Sequence, residues 1–480
     1  MLKPTVLAAA ALIAGCASMA PDYQAPALPV PAAYPADAPP TAGQRAAALD
    51  WREHFADPQL QALITQALDQ NRDLRLAALR VQEARAAYGI QRAERLPTIG
   101  VQGDASRGRV PAGLSPAGQA VTGSQYQAAL GVNAWEIDFW GRVQSLQDAA
   151  LQSYLATDAA RRALTLSLVA QVADGYLQLR ELDERLVLAR RSIATRQESL
   201  RIFTRRFEVG STSRLDLTQV QTLSAQARAL GAQLEQLRAA QAHALAQLVG
   251  GPADLPATAA PLDDGAVLHP LAAGLPSDLL ADRPDILAAE HRLRAANANI
   301  GAARAAFFPR IALTANAGAA SAQFDGLFEG ASRAWTFAPS ISLPIFDGGS
   351  RRSSLDLAEV RRDVAVADYE KTVQAAFRDV ADALSARQWL AEQVRIAQEA
   401  LAAQTERARL AKLRYDNGAA AFLEVLDAQR DLLAAEQSLV QTRRALLSAR
   451  VGLYAALGGG TQHVAPLALT SGTSADAIAP

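Results

Sequence analysis

The sequence of 480 residues has one cysteine, two methionines and five histidines, and its 47 Lys and Arg are balanced by 48 Asp and Glu. A lone thiol cannot form an internal disulfide, which excludes a bridged scaffold. His54, His243, His269, His291 and His463 are too scattered for the short ligand spacings of zinc motifs. No GxxxxGK[ST], GxSxG or HExxH pattern occurs, so P-loop, nucleophile-elbow and zinc-hydrolase chemistry have no foothold. Nothing in the chain assembles a recognisable catalytic, cofactor or metal site, and an enzyme is not expected. A formal charge of -1 lacks the basic surplus with which proteins neutralise phosphates, which excludes nucleic acid. No apolar run of about eighteen residues follows the N-terminal segment, so no later helix can span a bilayer. A membrane crossing would have to be built of β-strands.

What is present begins with an address. Lys3 and the apolar stretch from Val6 to Ile13 read as a short secretory signal. The order Ile13, Ala14, Gly15, Cys16 resembles a bacterial lipobox, which implies that Cys16 becomes the lipidated first residue of the mature chain. Ala17 rather than Asp follows it, which by the same resemblance favours the outer membrane over retention in the inner one. Acyl chains on one residue anchor a protein to a leaflet but make no pore. Residues 1–16 are thus read as lipoprotein signal and residues 17–49 as a Pro- and Ala-rich tether, extended in character.

The rest of the chain is written twice. Sliding it by 212 residues lays Asp73 on Asp285, Arg80 on Arg292, Gly89 on Gly301, Pro97 on Pro309 and Ile99 on Ile311. A slide of 208 lays Ile137 on Ile345, Gly141 on Gly349, Gly210 on Gly418 and Leu215 on Leu423. The expected organisation is one repeat at residues 50–250, a linker at 251–280, a second repeat at 281–460 and a C-terminal tail at 461–480. Each repeat runs helix, β-hairpin (about 97–136 and 309–345), long helix, tip (near 210 and 418) and return helix.

Both hairpins alternate. Ile99, Val101, Gly103 and Ala105 face one side, as do Tyr126, Ala128, Leu130, Val132 and Ala134 on the return strand. In the second repeat Ile311, Leu313, Ala315 and Ala317 are matched by Trp335, Phe337, Pro339, Ile341 and Leu343. Period two marks a sheet with one greasy and one wet face. Strands of about ten residues with Trp or Tyr near their ends fit an outer-membrane barrel, although alternation alone would also suit two hairpins on a soluble core. Four strands cannot close a barrel, since barrels start at about eight. Closure needs several copies, and three would supply twelve strands.

After each hairpin comes a long interval without Pro, filled by Ala, Leu, Arg, Gln and Glu. Leu164, Leu168, Val172, Tyr176, Leu179, Leu182 and Leu186 recur at helical steps in the first, and Val366, Tyr369, Val373, Phe377, Val380 and Leu384 in the second. A helix from Trp140 to Glu208 would extend about 100 Å at ~1.5 Å per residue. Abundant Ala permits close, coiled-coil-like packing. Gly210 and Gly418 suit left-handed turns at the helix ends, and Ser213 suits the cap of a returning helix.

Four pieces in order carry a resemblance: "RPDI" at Arg283 to Ile286, "FFPRI" at Phe307 to Ile311, "LPIFDGG" at Leu343 to Gly349, and "RYDNG…LEVLDAQR" ending at Arg430. With the lipobox and the tandem repeat, they resemble the TolC-like outer-membrane efflux family, in its lipoprotein branch serving resistance-nodulation-division (RND) pumps. The resemblance implies a mainly α fold with a transmembrane β-barrel. It implies a homotrimer whose twelve-stranded barrel in outer-membrane lipid continues as a twelve-helix α-barrel through the periplasm, with an equatorial α/β layer. It implies a passive channel for drugs or other small toxic solutes, delivered by a periplasmic adaptor (membrane fusion) protein and an inner-membrane RND pump. By residue-to-residue resemblance, Leu423 and Asp427 narrow the periplasmic mouth, Tyr415 and Arg430 help to hold it closed, and Val209, Gly210, Arg214, Leu215, Asn417, Gly418 and Phe422 meet the adaptor. Thr218 and Gln219 stand where the second repeat has Leu426 and Asp427, so six carboxylates in one ring are not expected. The sequence leaves two rivals open: an exit duct for type I protein secretion, and a periplasmic coiled-coil lipoprotein scaffold.

Overall fold

A computed structural model describes residues 18–31, 44–116, 118–258, 260–262, 271–272 and 278–463. Cys16 and its signal segment lie outside them, as do parts of the tether and linker and most of the tail. Strand β1 (Gln44–Arg45) and helices α1 (Trp51–His54), α2 (Pro58–Gln70) and α3 (Arg72–Ala93) lead into β2 (Ile99–Val110) and β3 (Val121–Glu136). Helices α4 (Arg142–Glu208) and α5 (Arg214–Leu248) follow, then β4 (Leu271–Ala272), α6 (Asp278–Asp282) and α7 (Pro284–Ala305). The chain closes with β5 (Arg310–Ser321), β6 (Arg333–Ser342), α8 (Ser350–Asp416) and α9 (Phe422–Ala456). Helices α4 and α8 each have 67 residues, and α5 and α9 each have 35. None of the described helices is long and apolar enough to cross a membrane.

The chain divides into two compact units. The first comprises Met1–Ala27, Arg80–Thr157 and Ala288–Glu370, and its centre is a sheet in the order β2-β3-β5-β6. All three pairings are antiparallel, and their register carries one face across the whole sheet. Ile99 lies opposite Val132, Val101 opposite Leu130, Leu130 opposite Ala317, and Ala317 opposite Trp335. The other face sets Gln102 beside Ala129, and Gly131 beside Asn316 beside Thr336. Among the described residues the apolar face is largely open to solvent: Val101 is 84% exposed and Trp335 76%. Among the described residues, strands β2 and β6 each pair on one side only.

In one place the structure departs from strict alternation. A bulge between Val132 and Trp135 breaks the register, and Ala134 takes a left-handed φ of 47°. Trp135, not Ala134, then pairs with Leu313 on the greasy face, and Glu136 pairs with Ala312 on the wet one. Unbroken alternation would have put Glu136 among the apolar residues. The bulge instead leaves its carboxylate 2.8 Å from Arg142 Nη2 and 2.7 Å from Arg310 Nε. The local strain of a non-glycine residue at positive φ is offset by the Ala134 N–H donating to Thr314 Oγ1 at 3.1 Å. Beyond the hairpins, matching carboxylates start the long helices: Asp138 Oδ2 accepts from the Gln144 N–H at 2.8 Å and Asp347 Oδ2 from the Arg351 N–H at 3.1 Å.

The second unit comprises Leu28–Leu79, Asp158–Leu287 and Lys371–Pro480. Its main core joins α2 to α4 through Phe55, Leu60, Leu63, Ile64, Leu168, Val172 and Tyr176, with Leu245, Val249, Leu447 and Val451. Asp57 caps α2 by accepting from the Gln59 and Leu60 N–H groups, and the Tyr176 hydroxyl donates to it at 2.8 Å. Strands β1 and β4 make a short parallel pair. Around α4 the helices follow a fixed order within this unit. Helix α5 meets it through Arg238 and Asp183, and α9 through Arg444 and Glu181. Helix α8 packs on α9 through Val394, Leu439 and Leu446. The far side of α8 leaves Trp389, Ile396, Leu410 and Leu413 exposed, largely at heptad intervals.

The two faces of the sheet make opposite demands on a charge. Val101→Arg is expected to reduce the folded, membrane-inserted fraction, at a cost of about 2–4 kcal/mol near a bilayer midplane, whereas Gln102→Arg should be tolerated. Heat-modifiable migration of membrane fractions on a gel reads the difference, and equal behaviour of the two variants would mean that neither face meets lipid.

Candidate functional site at the two helix turns

Helices α4 and α5 meet at one turn, α8 and α9 at another, and both turns lie in the second unit. The two close alike. At the first, Gly210 has φ +72°, its N–H donates to the Phe207 carbonyl at 3.0 Å, and the Ser211 N–H donates to the Arg206 carbonyl at 2.8 Å. At the second, Gly418 has φ +71°, and the N–H groups of Gly418 and Ala419 donate to the carbonyls of Tyr415 and Arg414 at 2.9 and 2.8 Å. This pair of bonds satisfies the last carbonyls of a helix and requires a residue that tolerates positive φ.

The returning helices start differently. Ser213 Oγ accepts from the Asp216 N–H at 3.0 Å, and Asp216 Oδ2 accepts from the Ser213 N–H at 3.2 Å and the Thr212 hydroxyl at 3.1 Å. Together these make a reciprocal capping box. The hydroxyl and amide of Ser213, then the Thr212 hydroxyl, hold the Asp216 carboxyl below the usual carboxylate range. At the other turn Ala421 stands in the cap position and offers α9 no side-chain bond.

Between the turns lies an aromatic contact. The Phe422 ring sits 4.6 Å from that of Phe203 and 4.9 Å from that of Tyr415. Arg206 Nη1 donates to the Tyr415 hydroxyl at 2.6 Å. Tyr415 therefore joins the two turns. Phe422 is half-buried, unlike Val209, Gly210, Arg214, Leu215, Asn417 and Gly418, all of which are exposed.

Leu423 is 46% exposed, although Val425 and Leu426 beside it are 2% exposed. Asp427 follows one turn later on the same helix face and also reaches solvent, with Arg430 Nη1 3.2 Å from its Oδ1. Arg430 Nη2 lies 3.0 Å from Asp431 Oδ1, and Arg407 of α8 lies 2.7 Å from Asp431 Oδ2. Arg407, and then Arg430, hold the Asp431 carboxyl below its ordinary range. Arg414 pairs with Glu424 at 2.7 Å. The result is an exposed Leu and a half-neutralised Asp above a chain of alternating charges.

Phe203, Arg206, Arg407 and Asp431 were not singled out in the sequence. A signal existed for Arg206, since the 208-residue slide lays it on Arg414, each four residues before its turn glycine. Arg407 and Asp431 lie 24 positions apart, and only the α8–α9 packing brings them together. Among the described residues no group of three or more His, Cys, Asp or Glu is placed to hold a metal ion.

A sequence model described as "Outer membrane efflux protein" matches residues 63–251 and 275–459. The antibiotic efflux pump outer membrane protein ArpC of Pseudomonas putida is 46% identical over 461 residues, 95% of each chain. A membrane protein of known structure from Pseudomonas aeruginosa superimposes with a TM-score of 0.85 at 42% identity, covering 92% of this chain and 98% of the other. The open state of the Neisseria gonorrhoeae MtrE outer membrane channel gives a TM-score of 0.84 at 38% identity, covering 93% and 99%.

The capping box sets a pH dependence at the first turn. A carboxyl whose folded pKa lies below the unfolded value of about 3.9 stabilises the turn above that value, and the contribution is lost as pH falls through the lowered one. Asp216→Ala should therefore speed amide exchange over residues 213–217 near neutral pH, with the difference from the parent closing in acid below the carboxylate range. Equal exchange near neutrality would mean that the box does not hold the turn.

Proposed function

The chain belongs to the outer membrane efflux protein family, and from that premise we propose how its geometry conducts. It is an outer-membrane channel of a tripartite efflux system, extends into the periplasm and catalyses no reaction. An adaptor and an inner-membrane pump are its partners in that system. The pump is of the RND type, and the cargo is drugs or other small toxic solutes. The working unit is a homotrimer. The observation that carries this reading is the four-stranded sheet with one uncovered apolar face and two free edges, which becomes a closed surface only when like sheets pair edge to edge. Three copies supply twelve strands, within the range of membrane barrels. The exposed stripe on α8 is covered by the next copy in the same way.

Conduction then needs no chemistry beyond a wet lining and a mouth that opens. The polar face, with Gln102, Asn316 and Thr336, lines the water path through the membrane. At the periplasmic end three copies of Leu423 form an apolar constriction, and three of Asp427 form an acidic ring that favours cations. Arg430 neutralises each Asp427 in the closed mouth, and the Arg206–Tyr415 bond ties the two turns together. The exposed residues Val209, Gly210, Arg214, Leu215, Asn417 and Gly418 are where the adaptor docks, with Phe422 as the packed support behind them. The mature chain begins at an acylated Cys16, which adds a lipid anchor to a protein that its barrel already holds.

Asp427→Ala combined with Arg430→Ala should raise single-channel conductance in planar bilayers, because both members of the pair at the constriction are gone. Unchanged conductance would take the gating role away from these residues. Cys16→Ser should abolish incorporation of labelled palmitate while leaving the protein in the outer-membrane fraction; label retained on the variant would place the lipid elsewhere.

A further inference from the structure

Arg196 of α4 is only 5% exposed, and its Nη1 is enclosed without a hydrogen-bond partner. Among the described residues no ion pair reaches it, whereas Arg191, five residues earlier on the same helix, pairs with Glu436 of α9. That pair on one side and the Phe203–Phe422 ring contact on the other fix the antiparallel register of α4 against α9. Arg196 falls between them, so it faces the stretch of α9 that carries Asp427, Arg430 and Asp431. Burial, and then the like charge of Arg430, loosen its hold on its proton. A buried cation without a partner is among the costlier features a fold can keep. Its place opposite the stretch of α9 that carries Asp427 and Asp431 points to a second arrangement in which the charge is used.

We propose that Arg196 is the reserve cation of the mouth: when Arg430 releases Asp427, the Arg196 guanidinium takes up that carboxylate. Opening then exchanges one ion pair for another instead of exposing two unpaired charges. Asp427 is the carboxylate exchanged because Asp431 keeps Arg407 when Arg430 leaves, whereas Arg430 is the one ion-pair partner of Asp427 among the described residues. The apolar cluster of Phe203, Val220 and Leu426 next to this stretch lowers the dielectric on one side of the new pair and strengthens it. The inference rests on the reading of Asp427 and Arg430 as gate residues, and makes Arg196 a positioning residue of the open state.

Full-length protein reconstituted in planar bilayers tests it with four variants: Arg430→Ala, Arg196→Met, the two combined, and Arg196→Lys with Arg430→Ala. Arg430→Ala should raise conductance. Adding Arg196→Met should then shorten the open lifetime by about threefold or more, as expected for directly coupled residues, while adding Arg196→Lys should restore most of it. Arg196→Met alone should leave the channel closed and its thermal dissociation temperature equal to or above the parent's, because a buried unpaired charge has been removed. A combined variant that behaves like Arg430→Ala overturns the exchange while leaving the gate standing. A lower dissociation temperature for Arg196→Met also overturns it, since Arg196 would then be paired already in the closed state. If Arg430→Ala leaves conductance unchanged, the gate reading fails and the exchange fails with it.

Discussion

Every N–H and C=O group that enters hydrocarbon must be paired, because each one left bare costs several kcal/mol. The sheet meets this demand between β2 and β3, β3 and β5, and β5 and β6, and leaves it open along the outer sides of β2 and β6. The membrane thus turns an incomplete sheet into a rule about copy number, and the proposed trimer satisfies it. The side chains conform. Ile99, Val101, Leu130, Ile311, Phe337 and Ile341 would be misplaced on a soluble surface, and they fall in one continuous face because the register aligns them.

Much of this was legible in the chain itself, for physical reasons. A side-chain period of two cannot be hidden in a strand with one wet face, and a Pro-free run rich in Ala, Leu, Arg, Gln and Glu has few alternatives to a long helix. The small residues that punctuate the repeats, Gly210 and Gly418 above all, stand where the backbone turns left-handed. The bulge was not legible. Nothing local distinguishes Ala134 from its neighbours, and only Glu136, which needed Arg142 and Arg310 on the wet side, reveals why the alternation had to break.

The proposed mouth was readable in outline only. Spacing puts Leu423 and Asp427 on one face of α9, but it says nothing of Arg407, Asp431 or Phe203, which arrive from other helices. Periodicity assigns a residue to a face; it does not say what waits opposite. Arg196 illustrates the limit, since in sequence it is one more arginine on a charged helix, and its isolation exists only in the packed structure.

The two helix turns, alike in how they close, differ in how they restart: Ser213 and Asp216 latch the first, whereas Ala421 leaves the second without a latch. A missing cap is worth about 1 kcal/mol. That deficit falls on the helix bearing Leu423 and Asp427. The constriction proposed at Leu423 and Asp427 therefore sits on the return helix that lacks a side-chain cap and leans on the Arg414–Glu424 pair instead. A serine at position 421 would give α9 the side-chain cap it lacks and leave the proposed Asp427–Arg430 lock untouched.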